Sequence, residues 1–135
     1  MRTELSEELL ENDITGLILK YSYKIHTSLG PGLLESVYTE CLFYELVKAG
    51  LFVEKQKVLP VVYETITLES GFRIDLFVER KVIVELKAVE SLDQVHLAQT
   101  LTYLRLSNCK VGLLINFNVV SLKSGIRRVV NSFYP

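Results

Sequence analysis

The stretch FRIDLFVERKVIVELKAV, residues 72–89, decides how the rest of the chain is read. Ile74, Leu76, Val78, Val82, Val84 and Leu86 are all aliphatic, and Arg73, Asp75, Phe77, Ile83, Glu85 and Lys87 alternate with them. Successive side chains of a strand point to opposite faces, so the even positions predict one apolar face shared by strands 73–78 and 82–87. Directly opposite residues of an antiparallel pair lie on the same face. The even set therefore aligns only if paired numbers sum to an even value. A three-residue loop, Glu79-Arg80-Lys81, satisfies this with pairs summing to 160 and sets Asp75 opposite Glu85. Their Cβ atoms are then about 5 Å apart. A two-residue loop would turn half of the aliphatic set to the wrong side. Lys87 follows two residues along on the same face as the acids.

Two carboxylates this close repel each other unless a cation, a shared proton or water relieves them. A divalent ion is one solution. Oxygen ligands from Asp75 and Glu85, with the backbone carbonyl of Leu86, suit Mg²⁺ (or Mn²⁺), which keeps several waters and also takes substrate phosphate. Lys87 beside such an ion would orient an attacking water or offset charge developing on the phosphate. The plain alternative is a hairpin whose second face is solvated, with Lys87 paired to an acid. Phe77 and Ile83 on that face argue that it is partly covered, where bare acids are costly.

Outward from the hairpin, the apolar period changes to that of helices. Ile14, Leu17, Ile18, Tyr21, Ile25 and Leu29 predict an amphipathic helix over 13–29, stopped by Gly30-Pro31-Gly32. A second helix is expected over 33–49, with Leu34, Val37, Tyr38, Cys41 and Leu42 on its apolar side and Gly50 as its stop. Residues 52–58 read as a strand, followed by a looser stretch around Pro60 and a possible extra strand near 65–68. Ser91 and Gln94 fit a capping box for a helix over 92–106. Residues 111–117 read as a buried strand and 126–130 as an edge strand, with a helix as the alternative there. The expected core order is helix, three strands, helix, strand, behind one extra N-terminal helix. This is an α/β fold with a mixed central sheet flanked by helices.

The chain has 135 residues, 49% of them hydrophobic and 23% charged, which fits one globular domain over 1–135 and excludes disorder or a disulfide scaffold. No apolar run is long enough for a membrane span, and the acidic start MRTELSEELLEND does not read as a signal peptide. Cys41 and Cys109, far apart and without a CxxC, read as reduced thiols of a cytoplasmic protein. Charge is uneven along the chain. Residues 1–50 carry eight acids and four bases, 51–93 eight and six, and 94–135 no acid and five bases. The basic last third could face phosphates, although a net charge of −1 gives little support to tight nonspecific nucleic-acid binding.

Asp75 and Glu85-Leu86-Lys87 on successive strands resemble the PD-(D/E)xK nuclease superfamily, whose core has the same helix and strand order. The chain is more closely similar to the family called GxxExxY proteins. That family's name motif stands here as Gly32-Leu-Leu-Glu35-Ser-Val-Tyr38, and its sheet motif as residues 72–89. Residues 93–107 (DQVHLAQTLTYLRLS) and 110–118 (KVGLLINFN) resemble its later blocks, so the likeness runs from about residue 12 to 130. The usual Pro before the first acid is Ile74 here, a position that carries no chemistry. The resemblance implies a restriction-endonuclease-like αβββαβ core and a metal-dependent nuclease acting on nucleic acid, DNA first. It implies Asp75 and Glu85 as metal ligands, Lys87 as the catalytic lysine and Glu35 as a helical glutamate supporting the metal or its water. It further implies that Gln99, Tyr103 and Tyr38 lie near the site, the first two resembling the Gln-x-x-x-Tyr pair of RecB-like nucleases.

The residues themselves leave simpler readings open. Tyr38 would serve as a core aromatic, Glu35 as a favourable first-turn acid, and Gln99 with Tyr103 as helix packing. His26 and His96 lack metal-ligand spacing, though His96 shares a helix face with Gln99 and Tyr103. The main rival to an enzyme is a catalytically silent module of this fold that binds nucleic acid or a protein partner. A protein partner or a homodimer is compatible with either reading.

Overall fold

The computed structural model describes residues 9–132. The acidic start, as far as Glu8, lies outside the described residues. Helix α1 spans Glu11–Leu29 and α2 spans Glu35–Lys48. Strands β1 (Val53–Tyr63), β2 (Ile66–Val78) and β3 (Val82–Lys87) follow, then α3 (Gln94–Ser107), β4 (Val111–Asn116) and β5 (Ile126–Val130). The strands form one sheet in the order β1-β2-β3-β4-β5, with β3 and β4 parallel and the other neighbours antiparallel. The expected helix and strand order is the one found, and 126–130 is a strand. Among the described residues no helix is long and apolar enough to cross a membrane.

Local chemistry sets the helix ends. α1 stops where Gly30 takes a φ of 72°. α2 closes with Gly50 at φ 94°, its N–H donating to Val47 O and the Leu51 N–H to Leu46 O. This is the paired arrangement that a glycine just past a helix end allows. The cap of α3 is not the expected Ser91 and Gln94. Asp93 Oδ1 accepts the His96 N–H at 3.1 Å, and His96 Nδ1 accepts the Asp93 N–H at 3.1 Å. Asp93 is the better acceptor and stands immediately before the first helical residue, so it takes the role.

The sheet separates two apolar clusters. Ile14, Ile18 and Ile25 of α1 and Tyr38, Leu42 and Leu46 of α2 cover one face, meeting Leu76, Val78, Val82, Val84 and Leu86 together with Val111, Leu113 and Ile115. On the other face, Leu104 of α3 packs with Phe72, Ile74, Phe77, Ile83 and Cys109. Leu34, expected on the apolar side of α2, is exposed because it is the residue before the helix begins. Both cysteines are unpaired, Cys109 buried and Cys41 partly exposed.

The segment around Pro60 differs from expectation. Residues 65–68 are not a separate strand but the start of β2, so β1 and β2 form one long hairpin. Pro60 falls where the register shifts between Leu59 and Val61. An edge strand tolerates proline at such an irregularity because no ladder bond is asked of its missing N–H.

Beyond β3 the chain is held by a buried amide. Asn116 is 1% exposed; its Oδ1 accepts the Val89 N–H at 3.1 Å and its Nδ2 donates to Val89 O at 2.9 Å. Gly125 makes room beside it, since a Cβ there would lie 2.2 Å from Asn116 O. Asn116→Ala would strand the backbone N–H of Val89 and that of Asn118, both of which donate to Asn116 Oδ1, and it is expected to cost about 1–3 kcal/mol. Calorimetry should show a Tm lowered by several degrees.

Candidate active site

The hairpin register is the one predicted. Val78 pairs Val82, Phe77 pairs Ile83 and Leu76 pairs Val84, each summing to 160. Glu79 and Arg80 both take positive φ, 55° and 53°, and the Lys81 N–H donates to Val78 O across the turn.

Backbone pairing between β2 and β3 ends at Leu76↔Val84. At the next step the two acids replace it. Glu85 Oε2 accepts the backbone N–H of Asp75 at 2.8 Å, and Asp75 Oδ2 accepts the backbone N–H of Leu86 at 2.9 Å. Each carboxylate thus reaches across to the other strand. The alternation of β2 also breaks here. Leu76 and Val78 lie in the first cluster, but Ile74 lies in the second with Phe72, so the six even residues do not share one face. The reversal falls at Asp75. Across β1, Gln56 stands opposite it, between the pairs Lys55↔Leu76 and Lys57↔Ile74, and has a φ of 54°. Side-chain bonds in place of a backbone ladder leave the strand room to turn at this point.

Both acids are held in the less charged direction. Burial first, and then the charge of Asp75, push the Glu85 pKa up to about 8. Burial likewise raises that of Asp75, against the Leu86 N–H and the Lys87 and Arg73 charges. Glu35, in the first turn of α2, is largely exposed as a residue, yet the sheltered side of its carboxyl and the nearby charge of Asp75 raise its pKa. Lys87 and His96 act on it in the opposite direction. Tyr103 of α3 leans on Phe72, with ring centroids 4.8 Å apart, and burial followed by the Glu85 and Asp75 charges raises its pKa. Asp75, Glu85, Lys87, Glu35 and Tyr103 are therefore gathered at one end of the sheet. Gln99 is exposed on α3, one turn before Tyr103.

Tyr38 stands elsewhere. It has no exposed surface, stacks on Phe117 with centroids 4.5 Å apart, donates its hydroxyl to Gly30 O at 2.6 Å and accepts the Leu33 N–H at 3.1 Å. It cannot touch a substrate, and the expectation that it would is corrected. The spacing Gly32-x-x-Glu35-x-x-Tyr38 instead has a mechanical reading. Gly32 turns the chain at φ 100°, Tyr38 ties the 30–33 loop to the core, and Glu35 is thereby presented at the start of α2.

The basic residues of the last third do not surround the acids. Arg128 reaches Asn12 and Thr15 of α1, and Arg127 donates to the carbonyls of Ser124 and Ile126. Lys110 and Arg128 line a cavity of about 510 Å³ at the start of α1, beside the opposite end of β4. Arg73 is the site neighbour that the sequence pattern did not single out as functional, whereas His96 was marked by the helix face it shares with Gln99 and Tyr103. For Arg73 the signal was its place two residues before Asp75 on one strand.

Among the described residues no three His, Cys, Asp or Glu side chains converge as a ready-made metal site. The donors present still fit a hard ion. Mg²⁺ is ordinarily held by one or two carboxylates together with waters and substrate phosphate, not by an all-protein cage. Two acids whose shared burial disfavours their charge are the kind of pair a cation would relieve.

A family model described as the PD-(D/E)XK nuclease superfamily matches residues 12–129. No curated protein and no solved structure matches the chain.

Proposed function

Because the chain belongs to the PD-(D/E)XK nuclease superfamily, we propose that it is a Mg²⁺- or Mn²⁺-dependent nuclease that hydrolyses phosphodiester bonds of nucleic acid, DNA first. The observation that carries this reading is the crossed pair: Asp75 and Glu85 bridging two strands through each other's backbone, both with raised pKa. Asp75 and Glu85 are the residues that would hold the ion. The Leu86 carbonyl would assist, since it leaves the strand on the same side as the N–H that Asp75 accepts. When bound, the ion supplies Lewis acidity toward a phosphoryl oxygen and makes water more acidic.

The chain's own groups do the rest. The two backbone N–H bonds fix how each carboxylate is turned. Lys87 carries the ammonium that offsets charge building on the phosphate, or steadies the attacking water for in-line displacement. Glu35 offers a further carboxylate to that water from α2. Tyr103, and Gln99 one turn earlier, border the site from α3, where they would meet the substrate.

The purified chain is expected to cut supercoiled plasmid or a single-stranded oligonucleotide with Mg²⁺ or Mn²⁺ and to stop in EDTA. Asp75→Ala and Lys87→Ala are expected to leave no detectable product. A silent module remains the second reading, favoured by one observation: each acid already gives an oxygen to a backbone N–H. Binding without cutting, unchanged by both substitutions, would establish that reading in place of the first.

A further inference from the structure

α3 presents a third side chain on the stripe that holds Gln99 and Tyr103. His96 lies one turn before Gln99, and its imidazole is 23% exposed. The Asp93 N–H donates to Nδ1. That bond leaves Nδ1 as an acceptor, so the ring proton of the neutral imidazole is on Nε2. Among the described residues nothing accepts from Nε2, although every other ring contact is engaged in the cap. A largely covered ring, locked in one tautomer, thus holds an unused donor. Across from it stands Glu35, near enough to feel the charge of His96 but not hydrogen-bonded to it. α2 and α3 therefore flank the acid pair, with Glu35 on one bank and His96 and Tyr103 on the other.

We propose that His96 is a substrate-binding residue whose Nε2–H donates to a backbone phosphate oxygen of a nucleic-acid strand lying between α2 and α3. Such contacts set the register of a strand on a protein and carry no base information, so the contact is independent of sequence. The inference rests on the nuclease reading above and assigns one of its substrate contacts.

His96 also caps α3, so the test must separate the two roles. His96→Gln keeps both, because glutamine at this position completes a capping box and its amide can donate. Asp93→Ala removes the side-chain half of the cap but keeps the backbone N–H that orients the imidazole. His96→Ala keeps the backbone N–H that Asp93 accepts, but removes the imidazole's half of the cap and the donor together. The readouts are anisotropy of a labelled single-stranded oligonucleotide in Ca²⁺, kcat and KM in Mg²⁺, and Tm. His96→Ala is expected to weaken oligonucleotide binding and raise KM about tenfold or more, as for a hydrogen bond to a charged group. His96→Gln should recover most of that loss, and Asp93→Ala should stay within about threefold of the unaltered chain while sharing the lowered Tm of His96→Ala. Equal losses in Asp93→Ala and His96→Ala, or no loss in either, would overturn the assignment. An unaltered chain that neither binds nor cuts would instead overturn the nuclease reading itself.

Discussion

Glu85→Gln is expected to end cleavage and, in the same molecule, to raise the Tm of the metal-free protein at alkaline pH. The side chain is 4% exposed, and burial together with the neighbouring Asp75 charge places its pKa at about 8. Above that pH the unaltered protein must ionise a buried carboxyl beside a second one. Glutamine has nearly the same volume, keeps an oxygen to accept the Asp75 N–H now 2.8 Å from Glu85 Oε2, and never carries charge. The relief should appear as a Tm several degrees higher at about pH 9, since about 1 kcal/mol moves Tm by about 2–8 °C in domains near this size. At about pH 4, where Glu85 is neutral in the folded and the unfolded chain alike, the two proteins should melt together. Activity should move the other way. An amide is a poor ligand for a hard cation, and loss of about a thousandfold in rate corresponds to about 4 kcal/mol of transition-state stabilisation. Calorimetry in EDTA at both pH values and a cleavage assay in Mg²⁺ check the two halves separately. A glutamine variant less stable than the parent at about pH 9 would mean that the Glu85 anion is favoured by its surroundings. Retained cleavage would remove Glu85 from the metal site.

The stretch 72–89 carried most of the fold because burial on both faces of β3 leaves little freedom of register. A one-residue slip there would turn Glu85 and Lys87 toward the aliphatic set, so the pairs summing to 160 could be read from the sequence. The same reasoning failed one residue further on. Alternation assumes a continuous ladder, and the ladder stops where Asp75 and Glu85 bond to backbone across the strands. Ile74 went to the other cluster as a result. A period-two pattern contains no mark of such a reversal. Pro60 was likewise misleading, because its cost depends on whether the strand is at an edge, and strand order is not visible locally.

The candidate site was partly legible for a related reason. Asp75, Glu85 and Lys87 lie within one hairpin, where geometry is local. Glu35, Tyr103 and His96 come from helices on opposite faces of the sheet, so only their tertiary placement brings them to the acids. Tyr38 illustrates the limit from the other side. Its spacing from Glu35 puts both on one side of α2, but one turn of helix is enough to pass from the exposed rim to a fully buried position. The basic last third was misplaced by counting along the chain, since Arg128 folds back onto α1.

Raising the pH from about 4.5 to about 8 in EDTA should lower the stability of the unaltered protein, and millimolar Mg²⁺ should restore it at the upper end. The Glu85 pKa rises from 4.5 to about 8 on folding, so between those values the folded chain keeps a proton that the unfolded chain has lost. The folded state binds more protons throughout that window, and stability therefore falls as pH rises, by at most about 1.4 kcal/mol per pH unit for one proton. Asp75 shifts in the same direction, because of its burial, and adds to the decline. Below about 4.5 both states hold the Glu85 proton, and well above about 8 both have lost it, so its contribution levels off on either side. Mg²⁺ requires the ionised acids, so protons and ion compete for the same oxygens. An ion at a hundred times its Kd would contribute about 2.7 kcal/mol. That gain should be large at about pH 8.5 and small at about pH 6, opposite in slope to the metal-free curve. Thermal melts at several pH values, with and without Mg²⁺, resolve the two slopes. Metal-free stability that climbs across the window would show that the acids are satisfied as anions without a cation. A Mg²⁺ effect of equal size at both pH values would place the ion somewhere other than on Asp75 and Glu85.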